Sequence, residues 1–135
     1  MSKTSMSAAS QHWSIPEMTE SSRDELGDYS VEIERWFTDM DFAFAYKGLP
    51  NDMCQAHHMG YVVSGKLSVR MADGSIQEFE AGDAYVLEPA HLPMTSAGSE
   101  FISFTPTEEA KAMMPVVQAN MMKYAAEHGI RVGGV

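Results

Sequence analysis

A lone cysteine, Cys54, stands in a chain of 135 residues. No disulfide can close within the chain, and a core of this size needs none. Basic residues are also scarce: 9 Lys and Arg face 19 Asp and Glu, a net charge of -10. That balance argues against nucleic acid, which needs clustered Lys and Arg, and against anionic membrane surfaces. Long apolar runs are missing from the first thirty residues, where Lys3, His12, Glu17, Glu20, Arg23, Asp24 and Glu25 interrupt them. Neither a secretory signal nor a membrane span is expected there, so the default expectation is a cytoplasmic protein. Three catalytic or binding signatures are missing as well: a Ser-His-Asp order, a phosphate-cradling glycine loop and a zinc-finger spacing. Nothing in the spacing supports Cys54 as a nucleophile.

The residues that are present describe one domain rich in strands. Residues 1–30 read as a flexible or irregular N-terminal segment, polar and without period. Val31, Ile33 and Arg35 alternate with Glu32, Glu34 and Trp36, and this predicts a first strand. Phe42, Phe44 and Tyr46 predict a second, ending at Gly48-Leu49-Pro50. Further strands are predicted at Gly60 to Val63, Leu67 to Met71, Ile76 to Phe79, Ala84 to Leu87, Pro93 to Thr95 and Phe101 to Phe104. Ser64-Gly65, Asp73-Gly74 and Gly82-Asp83 supply the turns, because Gly and Asp tolerate positive φ. Short strands at this spacing predict a sandwich or a barrel over residues 31–104.

After the strands the period changes. Thr105-Pro106-Thr107-Glu108 has a capping-box pattern with Thr105 as the cap, and it opens a helical segment over 105–129 that kinks or restarts at Pro115. Met114, Val117, Met121 and Tyr124 share one helix face, expected to pack on the barrel or on a partner subunit. Ile130 to Val135 reads as a loose end.

The run from Asp52 to Gly65, followed by Gly82-Asp83 and Pro89, resembles the cupin family. The first cupin motif has a His-x-His pair, then a Glu and a Gly. Anchored on Gly65, it places His58 at the Glu and puts Asp52 and Cys54 at the two His positions. The second begins Gly-Asp, runs through apolar residues to Pro-x-Gly and then reaches a His. Here Glu88-Pro89-Ala90 stands for Pro-x-Gly, Pro93 takes the His position and His91 lies two residues earlier. The resemblance spans residues 42 to 104. It implies an all-β double-stranded β-helix, the jelly-roll barrel, with the C-terminal α-helix added, and a homodimer by family habit. No standard ligand keeps its own position, so the family's metal ligands do not transfer.

Residues two apart on a strand share a face, so an extended segment turns Asp52, Cys54 and His58 inward together. His91 has the parity of the expected ligand position. Cys54, His58 and His91 are therefore the candidate metal ligands, a donor set most compatible with zinc, although imidazole also suits iron or nickel. Against this, free cysteine is often simply buried, and a lone histidine is often a hydrogen-bonded core residue. His57, of opposite parity, is expected to be exposed. Asp52, Tyr46, Tyr85, Glu88 and Met94 are the candidate pocket residues. Twelve methionines raise the question of copper, but Met113, Met114, Met121 and Met122 fall on the predicted helix, where packing accounts for them.

Two functions stay open at this point. One is a small-molecule-binding cupin with a divalent metal in the barrel. If catalytic, it would be an oxygenase or isomerase with Tyr46, Tyr85 or Glu88 moving protons or orienting substrate. The alternative is a metal-free ligand-binding or sensor module, and a weaker third is a structural protein with a filled barrel.

Overall fold

Sheet begins earlier in the chain than its polarity suggests. The computed structural model describes residues 1–134. In it β1 (Gln11–Ile15) and β2 (Thr19–Leu26) form an antiparallel pair, and β2 pairs in turn with β3 (Tyr29–Trp36). The expectation of an irregular segment over residues 1–30 is thereby corrected from Gln11 onward, while residues 1–10 form no strand or helix. The polar β2 is stable as a strand because its hydroxyls are satisfied: Thr19 Oγ1 donates to the Arg35 carbonyl at 2.7 Å and Ser22 Oγ to the Met6 carbonyl at 2.6 Å. A buried polar group with a partner costs little.

The short β4 (Met40–Asp41) follows, and then the chain departs from expectation again. Phe42, Phe44 and Tyr46 do not alternate on a strand; Ala43–Tyr46 is a 3-10 helix, and a second runs over Pro50–Asp52. Beyond these lie β5 (His58–Ser64), β6 (Lys66–Met71), β7 (Ile76–Glu80), β8 (Ala84–Leu87), β9 (His91–Thr95) and β10 (Ser99–Pro106). A helix α1 (Thr107–Glu127) and a final strand β11 (Gly133–Gly134) complete the fold. The expected loose end is thus paired to β1 at Gly133 and Gly134, while Val135 lies outside the described residues.

The strands form two sheets: seven strands in the order β11-β1-β2-β3-β10-β5-β8, and four in the order β4-β9-β6-β7. Their inner faces meet over a core that includes Ile15, Trp36, Phe42, Val62, Leu67, Val69 and Phe101. This is the jelly-roll sandwich expected from the sequence.

Helix α1 runs unbroken past Pro115, which is exposed, and Pro106 serves as its N-cap without a side-chain bond. The helix is held to the Ala43–Tyr46 turn. Asn120 Nδ2 donates to the carbonyls of Ala45 and Lys47 at 2.9 and 2.8 Å, and the Phe44 and Tyr124 rings stack at 4.4 Å. Its apolar face turns toward its own barrel, where Met113 and Met121 are buried. Exposed apolar side chains instead stud the outer face of β10, β5 and β8: Phe104, Met59, Tyr61, Val63 and Val86. Among the described residues no helix is long and apolar enough to cross a membrane.

Candidate metal centre

Three donors converge because two backbone segments are tied together. Cys54 N–H donates to the His91 carbonyl at 2.9 Å, and the Cys54 carbonyl accepts from Ala90 N–H at 2.8 Å. This bridge fixes Cys54 beside the first residue of β9. His58 opens β5, and its register places it opposite Leu87 at the end of β8. The result is one potential ligand atom from each of Cys54, His58 and His91, all within 4.8 Å of one another. Cys54 Sγ and His58 Nε2 are 3.4 Å apart, and the two imidazole centroids 5.3 Å apart.

Each ring has its far nitrogen occupied. His91 Nδ1 lies 2.6 Å from the Glu88 carbonyl, which can only accept, so Nδ1 carries the proton and Nε2 keeps its lone pair. His58 Nδ1 lies 2.6 Å from Thr105 Oγ1. With the ring donating to that oxygen, the His58 Nε2 lone pair also faces the cysteine. This is the arrangement by which metal-binding histidines are held in one tautomer. Thr105, read from the sequence as a helix cap, is used here instead. A tetrahedral ion with ordinary metal–sulfur and metal–nitrogen bonds separates such donors by about 3.5 Å. The residues therefore fit a metal.

Burial sets the protonation of this cluster. It pushes the Cys54 thiol up to about 12, with the N–H of Ala56 on the sulfur opposing the rise. It drives His58 down to about 3, helped by the neighbouring His91, and lowers His91 in the same sense. Without a metal the cluster is a neutral thiol between neutral rings. Such a neutral thiol is a poor nucleophile; a bound cation would deprotonate it.

His58 and His91 line a cavity of about 110 Å³, and Cys54 lies behind them. Its wall was only partly legible beforehand. Tyr46 lines it, but the other four expected pocket residues do not. Asp52 is exposed and accepts the Gly48 N–H at 2.9 Å, because a positive-φ turn at Asn51 and Asp52 breaks the extended run on which its parity rested. Glu88 projects outward, 3.6 Å from His57 Nε2, and contributes only its carbonyl. Met94 alternates with Pro93 and Thr95 and faces away, its sulfur 3.5 Å from Arg70 Nη2. Tyr85 is buried, with its hydroxyl 2.6 Å from Ser103 Oγ. His57 is exposed as expected, its Nδ1 2.7 Å from Glu109 Oε1.

Sequence reasoning missed the acidic row on β3. Glu32 and Glu34, not Val31 and Ile33, line the cavity. Arg23 pairs with Glu32 at 2.8 Å, whereas Glu34 receives the Trp36 indole N–H at 3.2 Å. Burial, with Glu32 beside it, raises the Glu34 carboxyl well above its ordinary range. Tyr46 is likewise raised by burial, then by Cys54 and Glu34. Thr95 Oγ1, also in the wall, is buried without a partner among the described residues. Met113, Met114, Val117 and Met121 of α1 also line the cavity. A signal was available in the β3 pattern, where the two acids share parity with Trp36.

No family model matches the sequence, and no curated protein matches it. Solved structures do resemble it. An RmlC-like cupin from Shewanella frigidimarina aligns at TM-score 0.52 and 17% identity, over 78% of this chain and 92% of the other. Protein NMB1881 from Neisseria meningitidis aligns at 0.52 and 14%, over 78% and 99%. The polyketide cyclase RemF from Streptomyces resistomycificus aligns at 0.52 and 12%, over 78% and 79%. With strand order and both glycine turns in agreement, the barrel of this chain is the cupin fold.

Proposed function

We propose that this protein is a small-molecule-binding cupin whose barrel holds one divalent metal on Cys54, His58 and His91. The observation that carries the reading is the convergence of their three donor atoms within 4.8 Å, with both rings tethered at Nδ1. A metal there would supply a Lewis acid at the floor of the cavity. The chain's own residues would hold and orient the guest: Thr95 offers an unpartnered hydroxyl, and Glu34 and Tyr46 face the same space. The proton-handling role considered for Tyr85 and Glu88 passes to Tyr46 and Glu34, because these line the cavity and Tyr85 and Glu88 do not. An empty apolar cavity of about 150 Å³ accepts benzene, so about 110 Å³ suits a guest of a few heavy atoms. A larger one would require α1 to lift. The same reading takes the chain as a homodimer joined through the apolar outer face of β10, β5 and β8, an isologous contact.

Metal analysis of protein purified without added metal, and again after reconstitution with zinc, iron and nickel, tests the proposal. One equivalent that is lost in His58→Ala supports it; no stoichiometric metal under any of these conditions overturns it. In that event the orphan Thr95 hydroxyl favours a metal-free binding module. A rise in melting temperature with a small polar ligand in the presence of chelator would identify one.

A further inference from the structure

We propose that Met113 is a fourth donor of the Cys54–His58–His91 centre, and that the completed set of two sulfurs and two imidazoles is built for copper. The inference rests on the three donors of the metal-centre reading above and departs from it in the metal, which enters as Cu(I) instead of a divalent ion. Met113 lies in the second turn of α1, and its Sδ is 3.2 Å from Cys54 Sγ. Met114, Val117 and Met121 also face the cavity from this helix, and packing accounts for them as apolar wall. Packing alone does not require a sulfur against the cysteine sulfur; leucine would fill the same space.

Donor chemistry decides between metals. Zinc, iron and nickel held by one cysteine and two histidines are completed by water or carboxylate, and a thioether adds little to them. Soft thiolate and thioether donors select Cu(I), and a cysteine with two histidines and a weak, distant methionine is the donor set of blue-copper centres. A backbone N–H on the cysteine sulfur, here from Ala56, is one of the features that tune such centres.

Burial and charge point the same way. Cys54 and His91 are 0% and 1% exposed and Met113 9%, with His58 half-buried, so three of the four donors are withdrawn from solvent. Cu(I) on a Cys54 thiolate is neutral overall, whereas a divalent ion leaves a net positive charge among these buried groups unless Glu34 ionises nearby. On loading, the S–H bond of Cys54 breaks, a copper–sulfur bond forms and the proton leaves to solvent. No electron is transferred.

High copper affinity by itself would prove little, because most nitrogen and sulfur sites prefer copper to zinc. The test is the dependence on Met113. Cu(I) affinity is measured anaerobically against a chromogenic chelator, and zinc affinity in parallel, for wild type and Met113→Leu. The expected result is a loss of about tenfold or more for Cu(I) with zinc nearly unchanged. An unchanged Cu(I) affinity, or an equal loss for both metals, overturns the proposal. X-ray absorption of the copper-loaded wild type gives an answer that does not depend on the variant folding: two sulfur scatterers support it and one overturns it. If zinc binds through Cys54, His58 and His91 while Met113 has no influence, the three-donor centre stands and the copper assignment falls. If neither metal binds, both fall.

Discussion

Thr105 Oγ1 and His58 Nδ1 lie 2.6 Å apart, and Thr105 is buried two residues before α1 begins. The contact links the orientation of a candidate ligand to the junction between β10 and the helix. In Thr105→Val the ring N–H is left without its acceptor. Removing a partner of this kind typically weakens metal binding by about 10–100-fold. Thr105→Ser should stay close to wild type. The helix already starts without a side-chain cap, so the stability loss should stay near about 1–2 kcal/mol, the cost of one unpaired buried group. Metal titration beside thermal melting separates the two effects, and equal metal affinity in Val and Ser variants would refute the positioning role.

The cavity should make metal-free stability fall on both sides of a pH optimum. His58 and His91 have lowered folded values, so their neutral forms are favoured in the native state. Stability is then lost as pH falls from the ordinary histidine value toward the folded value of His58, about 3. Glu34 is shifted the other way: its folded value is raised, so the stability of its neutral form is full at low pH and lost as pH rises through that value. Glu34→Gln keeps an acceptor for the Trp36 indole and cannot ionise. Denaturant midpoints across pH should show the alkaline limb flattened in this variant and the acid limb unchanged; an unaltered alkaline limb would contradict the assignment.

Gly60 sits between His58 and Val62 on β5 because no side chain fits there. A Cβ at this position would clash with the Ile102 carbonyl and with the ring carbon and hydroxyl of Tyr85. Gly60→Ala must push β5 away from β10, at a cost of about 1–3 kcal/mol. For a chain of this length that corresponds to a melting-temperature drop of several degrees. Adding Tyr85→Phe should not restore the loss, since the ring carbon and the backbone oxygen remain in the way. Full rescue by the double variant would show that the hydroxyl alone is responsible.

The barrel was legible in the sequence because turn chemistry is local. Asp73-Gly74 and Gly82-Asp83 mark reversals whatever surrounds them, and both glycines have positive φ. The convergence of Cys54, His58 and His91 could be anticipated from strand parity and from the cupin motif positions. What stayed hidden depends on tertiary context. Residues 11–26 are polar yet pair as strands, because their hydroxyls find partners on β3 and the N-terminal segment. The alternation in β3 was visible, but which face turned inward was not. Apolar Val31 and acidic Glu32 suggest the opposite of what a polar cavity selects. Met113 read as packing because a helix pattern says which face is buried and not what it touches.

Ala90 stands where the cupin motif has glycine, and its φ of 70° lies in the left-handed region that glycine tolerates best. The position cannot relax freely, because Ala90 N–H donates to the Cys54 carbonyl at 2.8 Å and His91 follows directly. A residue with a Cβ pays about 1–2 kcal/mol for this conformation. Glycine avoids that cost but gives back roughly 0.4–1 kcal/mol through the greater freedom of the unfolded chain. The balance favours Ala90→Gly by up to about 1.5 kcal/mol. Ala90→Val, with a branched Cβ, should lose stability well beyond the alanine parent. Because the Cys54–His91 bridge survives in the glycine variant, its metal affinity should match wild type while its melting temperature rises. A glycine variant that melts lower would mean that alanine packing at the bridge outweighs backbone strain, and that the departure from the motif stabilises this barrel.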